Sequence, residues 1–213
     1  MARRITALEP QRRAGRYNLY LDGEFAFGIA ESLAVRLHVG EWLADEQVAA
    51  LQAEDEIERA RERALAYLTP RPRSEAEVRR YLIGKGFSAE AVEQVLERLR
   101  GVGLVDDLAF ARFWVENRLR FRPRGRRGLW HELRQKGIDE ATLEAALADY
   151  DEVEAARRFA EGEWHRLASQ PEALRRRRLS ERLARRGFTY ETIRCILDDL
   201  PHPHPIESED LEL

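Results

Sequence analysis

Residues 78–99, VRRYLIGKGFSAEAVEQVLERL, contain a unit that occurs three times in this chain of 213 residues. The same pattern returns without gaps at 129–150, LWHELRQKGIDEATLEAALADY, and at 179–200, LSERLARRGFTYETIRCILDDL. Each copy contains a short helical piece, a basic residue, a glycine, a large apolar residue and an N-cap residue that opens a second helix. Self-similarity at a fixed spacing of this size is typical of helical repeat proteins.

Four sets of aligned residues indicate how each copy folds. One set faces the core and consists of Leu82, Leu133 and Leu183. A second set lies just past the end of the first helix and consists of Gly86, Gly137 and Gly187. Glycine adopts the left-handed conformation needed at this position at no steric cost. Good N-cap residues follow, namely Ser88, Asp139 and Thr189. The second helix has an apolar stripe at helical spacing, made of Val92, Leu143, Ile193, Leu96, Leu147 and Leu197.

A further helix precedes each copy, and in the second copy its apolar face is Phe110, Phe113 and Trp114. The sequence therefore predicts an all-α fold of three tandem three-helix, helix-turn-helix-like repeats. Because each unit is too small to bury its faces alone, the repeats are expected to stack into an elongated, curved array. The predicted repeats are residues 56–104, 105–150 and 151–200.

The connection between the first two helices of the second repeat holds Pro123, Gly125 and Gly128. Proline cannot continue a helix, and glycine weakens one. We therefore interpret these three residues as helix stops.

The N-terminal part, residues 1–55, follows a different pattern. In RYNLYLDGEFAFGI at 16–29, apolar and polar residues alternate on both sides of Asp22-Gly23. This arrangement predicts a small β-hairpin, and helices are expected around 30–37 and 45–55. Because an isolated hairpin is marginally stable in water, we expect it to dock on the first repeat.

Composition argues against a globally disordered protein, a protein with internal disulfides and a membrane-spanning protein. The 44% of hydrophobic residues can fill a core, the net charge is only −3, and Cys195 is the single cysteine. No apolar run approaches the roughly 20 residues that span a bilayer. We therefore expect a cytoplasmic protein without membrane contact. The acidic tail, 201–213, is predicted to be disordered.

Nothing in the sequence has the pattern of an active site, so we expect neither an enzyme nor a cofactor. The five histidines lack the spacing of metal ligands. Asp106 and Asp107 could form an acid–base pair, but a helix N-terminus stabilises acidic residues and is the simpler explanation.

Basic residues concentrate in two blocks at equivalent places of the second and third repeats. Residues 112–136 contain nine basic and two acidic residues, and residues 175–186 contain seven and one, which gives net charges of +7 and +6. Such stripes favour an anionic partner, either a nucleic-acid backbone or an acidic protein surface, although a solvated charged face remains an alternative. Trp130 lies beside the first block and is the tryptophan best placed to contact a partner. The candidate binding residues are Arg118, Arg120, Arg122, Arg124, Arg126, Arg127, Trp130, Arg134, Lys136, Arg175, Arg176, Arg177, Arg178, Arg182, Arg185 and Arg186.

The third helix of each repeat is acidic, which argues against one mode of DNA binding. Residues 139–150 contain four acidic residues and no basic one. A helix-turn-helix regulator places its last helix in the major groove, where these carboxylates would meet phosphates. The repeats therefore share the shape of helix-turn-helix units but are not expected to read DNA in that way.

Several motifs in this order resemble the RecX family of regulatory proteins. They are LTPRPRSEAEVRRYLIGKGF at 68–87, GLVDDLAFARFWVENR at 103–118, HELRQKGI at 131–138 and RRGFTYETI at 185–193. The resemblance covers about residues 56–200 and implies tandem three-helix repeats without a catalytic residue or cofactor. It also implies binding to the RecA–single-stranded-DNA filament. The resemblance further implies inhibition of RecA strand exchange, ATP hydrolysis and co-protease activity, by blocking filament growth or promoting disassembly.

On this basis we expect a monomer that binds the RecA filament and binds single-stranded DNA weakly. A direct DNA-binding regulator and a helical-repeat adaptor remain alternatives. Reversing Arg124, Arg126 and Arg127 to Glu is expected to abolish inhibition without unfolding the protein.

Overall fold

A computed structural model describes residues 1–12 and 14–200, and the tail predicted to be disordered lies outside this range. The chain divides into two compact units, Met1–Asp106 and a second that begins at Asp107. None of the helices in the described residues is long and apolar enough to cross a membrane.

The N-terminal sheet contains the predicted hairpin and two further strands. Its antiparallel strands are β1 (Ala2–Pro10), β2 (Arg16–Leu21), β3 (Glu24–Ala30) and β4 (Trp42–Ala44), in the order β3-β2-β1-β4. The β2–β3 hairpin is confirmed, and Asp22 and Gly23 both have positive φ angles, 53° and 88°, as a tight hairpin turn requires. The sequence does not reveal β1 and β4, because β1 lacks a regular alternation and β4 has only three residues.

Four helices complete the first unit. They are α1 (Glu31–Ala34), α2 (Asp45–Leu68), α3 (Glu75–Ile83) and α4 (Ala89–Gly101). The helix expected around 30–37 is a single turn. Residues 45–55 are helical, as expected, but the prediction that they form a separate helix is wrong, because α2 runs without interruption into the first repeat. The division at residue 55 thus falls inside one helix, and the residue bounds of the domains remain a proposed division.

The sheet docks on the first repeat, as predicted, through a buried carboxylate in α2. Asp55 is 4% exposed and accepts a hydrogen bond from the backbone N–H of Ala30 at 2.8 Å. Arg16 of β2 and Arg59 of α2 also donate to it, at 3.1 and 3.0 Å. A buried carboxylate is stable only when it is paired in this manner, so Asp55 fixes the sheet against α2.

The second unit contains two of the predicted repeats. Its helices are α5 (Asp107–Phe121), α6 (Arg126–Gln135), α7 (Glu140–Leu147), α8 (Glu152–Arg166), α9 (Glu172–Arg185) and α10 (Tyr190–Asp198). In α5 the predicted face is partly wrong, because Phe113 is 40% exposed whereas Phe110 is buried and Trp114 packs beside it. The helix α5 nevertheless has a buried face, which consists of Phe110, Ala111 and Val115.

The repeat pattern itself is confirmed in all three copies. The aligned leucines are fully buried, and the glycines have φ angles between 81° and 87°. The side chains of Ser88, Asp139 and Thr189 each accept a hydrogen bond from a backbone N–H in the helix that follows. The second and third repeats share one hydrophobic core, to which Leu133 and Leu183 both belong.

Candidate anion-binding cleft

Three glycines allow the second and third repeats to approach closely. Gly125 donates a backbone hydrogen bond to the carbonyl of Arg186 at 3.1 Å. A Cβ atom on Gly125 would lie 2.1 Å from the Gly187 carbonyl oxygen, and one on Gly128 would lie 2.4 Å from that of Arg186. Neither distance leaves room for a side chain. The start of α6 therefore lies directly against the turn between α9 and α10.

This contact corrects the interpretation of Gly128 as a helix stop, whereas Gly125 lies in the connection before α6, as expected. Gly125 is the N-cap of α6, and Gly128 lies inside that helix. A glycine in a helix costs up to about 1 kcal/mol relative to alanine, and here it permits a backbone contact between repeats. The sequence did not indicate this role, because the contact partners lie about 60 residues apart.

The close approach brings the two basic blocks together around one cleft. The cleft has a volume of about 540 Å³. Its lining consists of Arg118, Arg122, Arg124, Phe159, Glu163, Arg182, Arg185 and Arg186. Six of these eight residues are arginines from the two predicted blocks, three from each. The volume lies in the range of known ligand-binding clefts.

Glu132 of α6 positions the arginines on the α5 side of the cleft. Its carboxylate accepts hydrogen bonds from Trp114 Nε1 at 2.8 Å and from Arg118 Nε at 2.7 Å. Arg124 Nε lies 2.6 Å from the other carboxylate oxygen. The guanidinium of Arg118 also lies 4.4 Å from the centre of the Trp114 ring. These contacts hold Arg118 and Arg124 in fixed orientations.

Glu163 of α8 positions an arginine on the opposite side. This residue is 6% exposed, and its carboxylate pairs with Arg182 and, at 2.8 Å, with Arg166. Burial raises the pKa of Glu163, but the hydrogen bonds and charges of Arg182 and Arg166 outweigh it and lower the pKa overall. Glu163 is therefore ionised at neutral pH and cancels only part of the positive charge.

Arg186 lies between the two repeats. It donates to the carbonyl of Pro123 at 3.0 Å, and its guanidinium lies 4.2 Å from the centre of the Phe159 ring. Burial and the neighbouring charge of Arg124 lower the pKa of Arg186 from its usual value. The positive charges of the cleft thus repel one another, and a bound anion would relieve this repulsion.

Two cleft arginines have guanidinium groups without a partner. Arg122 and Arg185 are exposed, and neither side chain forms a hydrogen bond or ion pair within residues 1–12 and 14–200. Their neighbours Arg118, Arg124 and Arg182 are all paired. Arg122 and Arg185 are therefore the groups most available to an external anion.

Several predicted binding residues also make hydrogen bonds within the fold. Arg126 donates to the carbonyl of Tyr150 at 3.2 Å, and Arg175 donates to that of Trp164 at 3.0 Å. Arg176 donates to the carbonyl of Leu197, in the last turn of α10, at 2.7 Å. Loss of these contacts would destabilise the helices. Reversal of Arg124 and Arg126 is thus expected to perturb folding as well, contrary to the expectation from sequence.

The remaining predicted residues lie outside the cleft lining. Trp130 is half-buried and packs against the shared core. Arg177 pairs with Glu181 at 3.0 Å, and Lys136 lies 5.0 Å from the centre of the Trp114 ring. The other residues are exposed arginines, namely Arg120, Arg127, Arg134 and Arg178.

Two cleft residues were absent from the sequence-based set. Phe159 and Glu163 belong to α8, which lies outside both basic blocks. Glu163 follows no pattern that distinguishes it from the exposed acids of α8. Its burial depends on packing between α8 and α9, which the local sequence does not contain.

Comparison with known proteins identifies most of the described chain with one family. The models of the first, second and third three-helix domains of RecX match residues 60–99, 106–147 and 149–197, and the RecX N-terminal domain matches 3–41. A regulatory protein RecX from Limosilactobacillus reuteri is 35% identical over 98% of this chain and 81% of its own length. Another, from Prosthecochloris aestuarii, is 40% identical over 70% of this chain and 97% of its own length.

Two solved structures agree with this result. A crystal structure of regulatory protein RecX matches with a TM-score of 0.75 and 34% identity, covering 92% of this chain and all of that chain. The structure of RecX from Lactobacillus salivarius matches with a TM-score of 0.61 and covers 68% of this chain and 96% of that one. At 24% identity, the second match concerns the fold alone.

Proposed function

Because this chain belongs to the RecX family of regulatory proteins, we propose that it binds the filament of RecA on single-stranded DNA and inhibits it. Inhibition extends to strand exchange, ATP hydrolysis and co-protease activity, through blocked filament extension or through disassembly. The protein acts in the cytoplasm, without catalysis of its own.

One observation supports an anionic partner most directly, namely the convergence of six arginines on one cleft in the second unit. Arginine binds phosphate and carboxylate groups through two parallel hydrogen bonds. Arg122 and Arg185 are free to make such bonds, while Arg118, Arg124 and Arg182 are already oriented by Glu132 and Glu163. A filament that displays DNA phosphates or acidic side chains meets this requirement.

The experiment that tests this proposal measures ATP hydrolysis by RecA on single-stranded DNA, with this protein added at substoichiometric ratios. We expect hydrolysis to fall, with little change in this inhibition when free duplex DNA is added in excess. This result would place the target on the filament. Unchanged hydrolysis at equimolar protein would contradict the proposal.

Two other functions would give different results in the same experiment. A direct DNA-binding regulator would bind duplex DNA tightly without RecA, and it would therefore lose its effect when free duplex DNA is in excess. An adaptor would leave hydrolysis unchanged. The acidic third helices, such as α7 with Glu140 and Glu144, argue against duplex recognition by the last helix.

A further inference from the structure

An exposed aromatic residue stands beside the arginines of the cleft. Phe121 is the last residue of α5 and is 65% exposed. The guanidinium of Arg120 lies 5.1 Å from the centre of its ring. The shared core of the second unit does not include Phe121. Its ring therefore presents a largely free aromatic surface to solvent.

Helical geometry places this ring next to the cleft lining. Phe121 follows Arg118 by three residues, and residues three apart lie on neighbouring positions of one helix face. Arg122, the next residue along the chain, also lines the cleft. The arrangement thus combines unpaired cations with an exposed aromatic surface at one edge of the cleft.

We propose that the ligand of this cleft is single-stranded nucleic acid, with the arginines on its phosphates and Phe121 stacked on one base. This inference rests on the proposed function for its site. Weak binding of single-stranded DNA is already expected from the family resemblance, so the inference adds the cleft as the place where the strand binds and Phe121 as the residue that stacks on a base. Proteins that bind single strands combine a basic groove with aromatic rings on which bases stack.

The combination favours a single strand over the two other anionic partners. An acidic protein surface supplies carboxylates for the arginines, but the acidic side chains themselves present no flat ring to the face of Phe121. Bases in a duplex are stacked on each other, so their faces are not available to a surface side chain. A single strand supplies both phosphates and free base faces.

The test uses fluorescence anisotropy of a labelled oligothymidylate of about 15 nucleotides, near the upper end of known site sizes. A second probe has the same sugar–phosphate backbone but abasic sites in place of the bases. We expect the full-length protein to bind the oligothymidylate about tenfold more tightly than the abasic probe, because one stacked base supplies a preference of this order.

The variant Phe121→Leu removes the aromatic face and keeps apolar volume. It is expected to lose the preference for the oligothymidylate, while its affinity for the abasic probe stays unchanged. Phe121→Trp is expected to restore the preference. The matched control is Phe113→Leu, since Phe113 is another exposed aromatic residue of α5 that lies outside the cleft lining, about 12 Å along the helix axis from Phe121. Its replacement is expected to leave both affinities unchanged.

Three results would overturn the inference. Equal binding of both probes by the unchanged protein would show that no base is stacked. A preference that survives Phe121→Leu would remove Phe121 from the contact. Polyglutamate that competes as well as the oligothymidylate at equal charge would favour an acidic protein partner.

Failure of this inference can be distinguished from failure of the proposed function. If neither probe binds but RecA hydrolysis still falls, the filament is the target and the cleft does not bind single strands. If the probes bind as expected but hydrolysis is unchanged, the cleft binds nucleic acid and the proposed regulation of RecA is wrong.

Discussion

Replacement of Gly128 by alanine should destabilise the protein, although the same change in an ordinary helix stabilises it. Alanine favours a helix by up to about 1 kcal/mol over glycine. At this position, however, the new Cβ atom would lie 2.4 Å from the backbone oxygen of Arg186. Ordinary contacts of this kind begin near 3.4 Å. The start of α6 and the α9–α10 turn would therefore have to separate by about 1 Å.

Separation of this size has a cost that can be estimated. Inserting one methyl group into a well-packed site costs about 1–3 kcal/mol, and here both contacting segments are backbone that cannot rotate away. The upper part of that range, about 2–3 kcal/mol, therefore applies. After subtraction of about 1 kcal/mol for the higher helix propensity of alanine, we expect Gly128→Ala to lower the free energy of unfolding by about 1–2 kcal/mol. The hydrogen bond from Gly125 to Arg186 would also lengthen.

Gly162→Ala is the matched control. Gly162 lies inside α8, in the same unit, and a Cβ atom there would meet no atom within 4 Å. This change should stabilise the protein by about 0.5–1 kcal/mol. The assay is urea unfolding followed by tryptophan fluorescence, to which Trp114, Trp130 and Trp164 of the second unit contribute.

A second readout connects the contact to function. Because the contact brings the two basic blocks together, Gly128→Ala should also weaken inhibition of RecA at temperatures where the variant is folded. Gly162→Ala should leave inhibition unchanged. If Gly128→Ala were as stable as the unchanged protein, the close approach of the two repeats would be refuted.

Two further predictions concern buried carboxylates. Glu163→Gln should lower the stability by about 2 kcal/mol at neutral pH, because it removes the charged partner of Arg182 and Arg166. Since the pKa of Glu163 is lower in the folded protein than its ordinary value of 4.5, this stabilisation is present above about pH 4.5 and disappears as the pH falls through the folded value. Urea titrations of both proteins should converge in acid, and a constant difference at all pH values would contradict this. Asp55→Ala should cost about 3 kcal/mol, because it leaves the side chain of Arg16 buried without its charge partner. Hydrogen exchange should then speed up in β3 and α2. The control Glu54→Ala breaks only an exposed ion pair and should have little effect on exchange. Equal exchange rates in the two variants would disprove the docking role of Asp55.

The repeats could be predicted from sequence because their determinants are local. The glycine at the end of the first helix, the N-cap residue and the apolar stripe each act within a few residues of one another. Gly187 illustrates the limit of this argument. Its positive φ follows from its place after α9, but its contact with Gly128 depends on a second repeat.

The site could be predicted only in part, for the same physical reason. Charge density identified both basic blocks, but it could not separate arginines that are free to meet a partner from those already engaged within the fold. Arg175 and Arg176 occupy the densest run of positive charge, yet both bind backbone carbonyls. Whether a guanidinium is free depends on carbonyls and carboxylates from distant helices, which only the folded structure reveals.

The most direct test of the central claim compares two double variants that change net charge equally. Arg122→Glu with Arg185→Glu reverses the free cations of the cleft. Arg112→Glu with Arg194→Glu reverses two exposed arginines of the same unit outside its lining. Both proteins should fold, since none of these side chains forms a buried contact. The measurement is the concentration that half-inhibits ATP hydrolysis by RecA on single-stranded DNA.

We predict that this concentration rises at least about tenfold for the cleft variant, because each lost charge-assisted contact is worth about 1.5 kcal/mol or more. The control variant should inhibit nearly as well as the unchanged protein. Equal inhibition by the cleft variant, or equal loss in both variants, would contradict the claim that this cleft binds the filament.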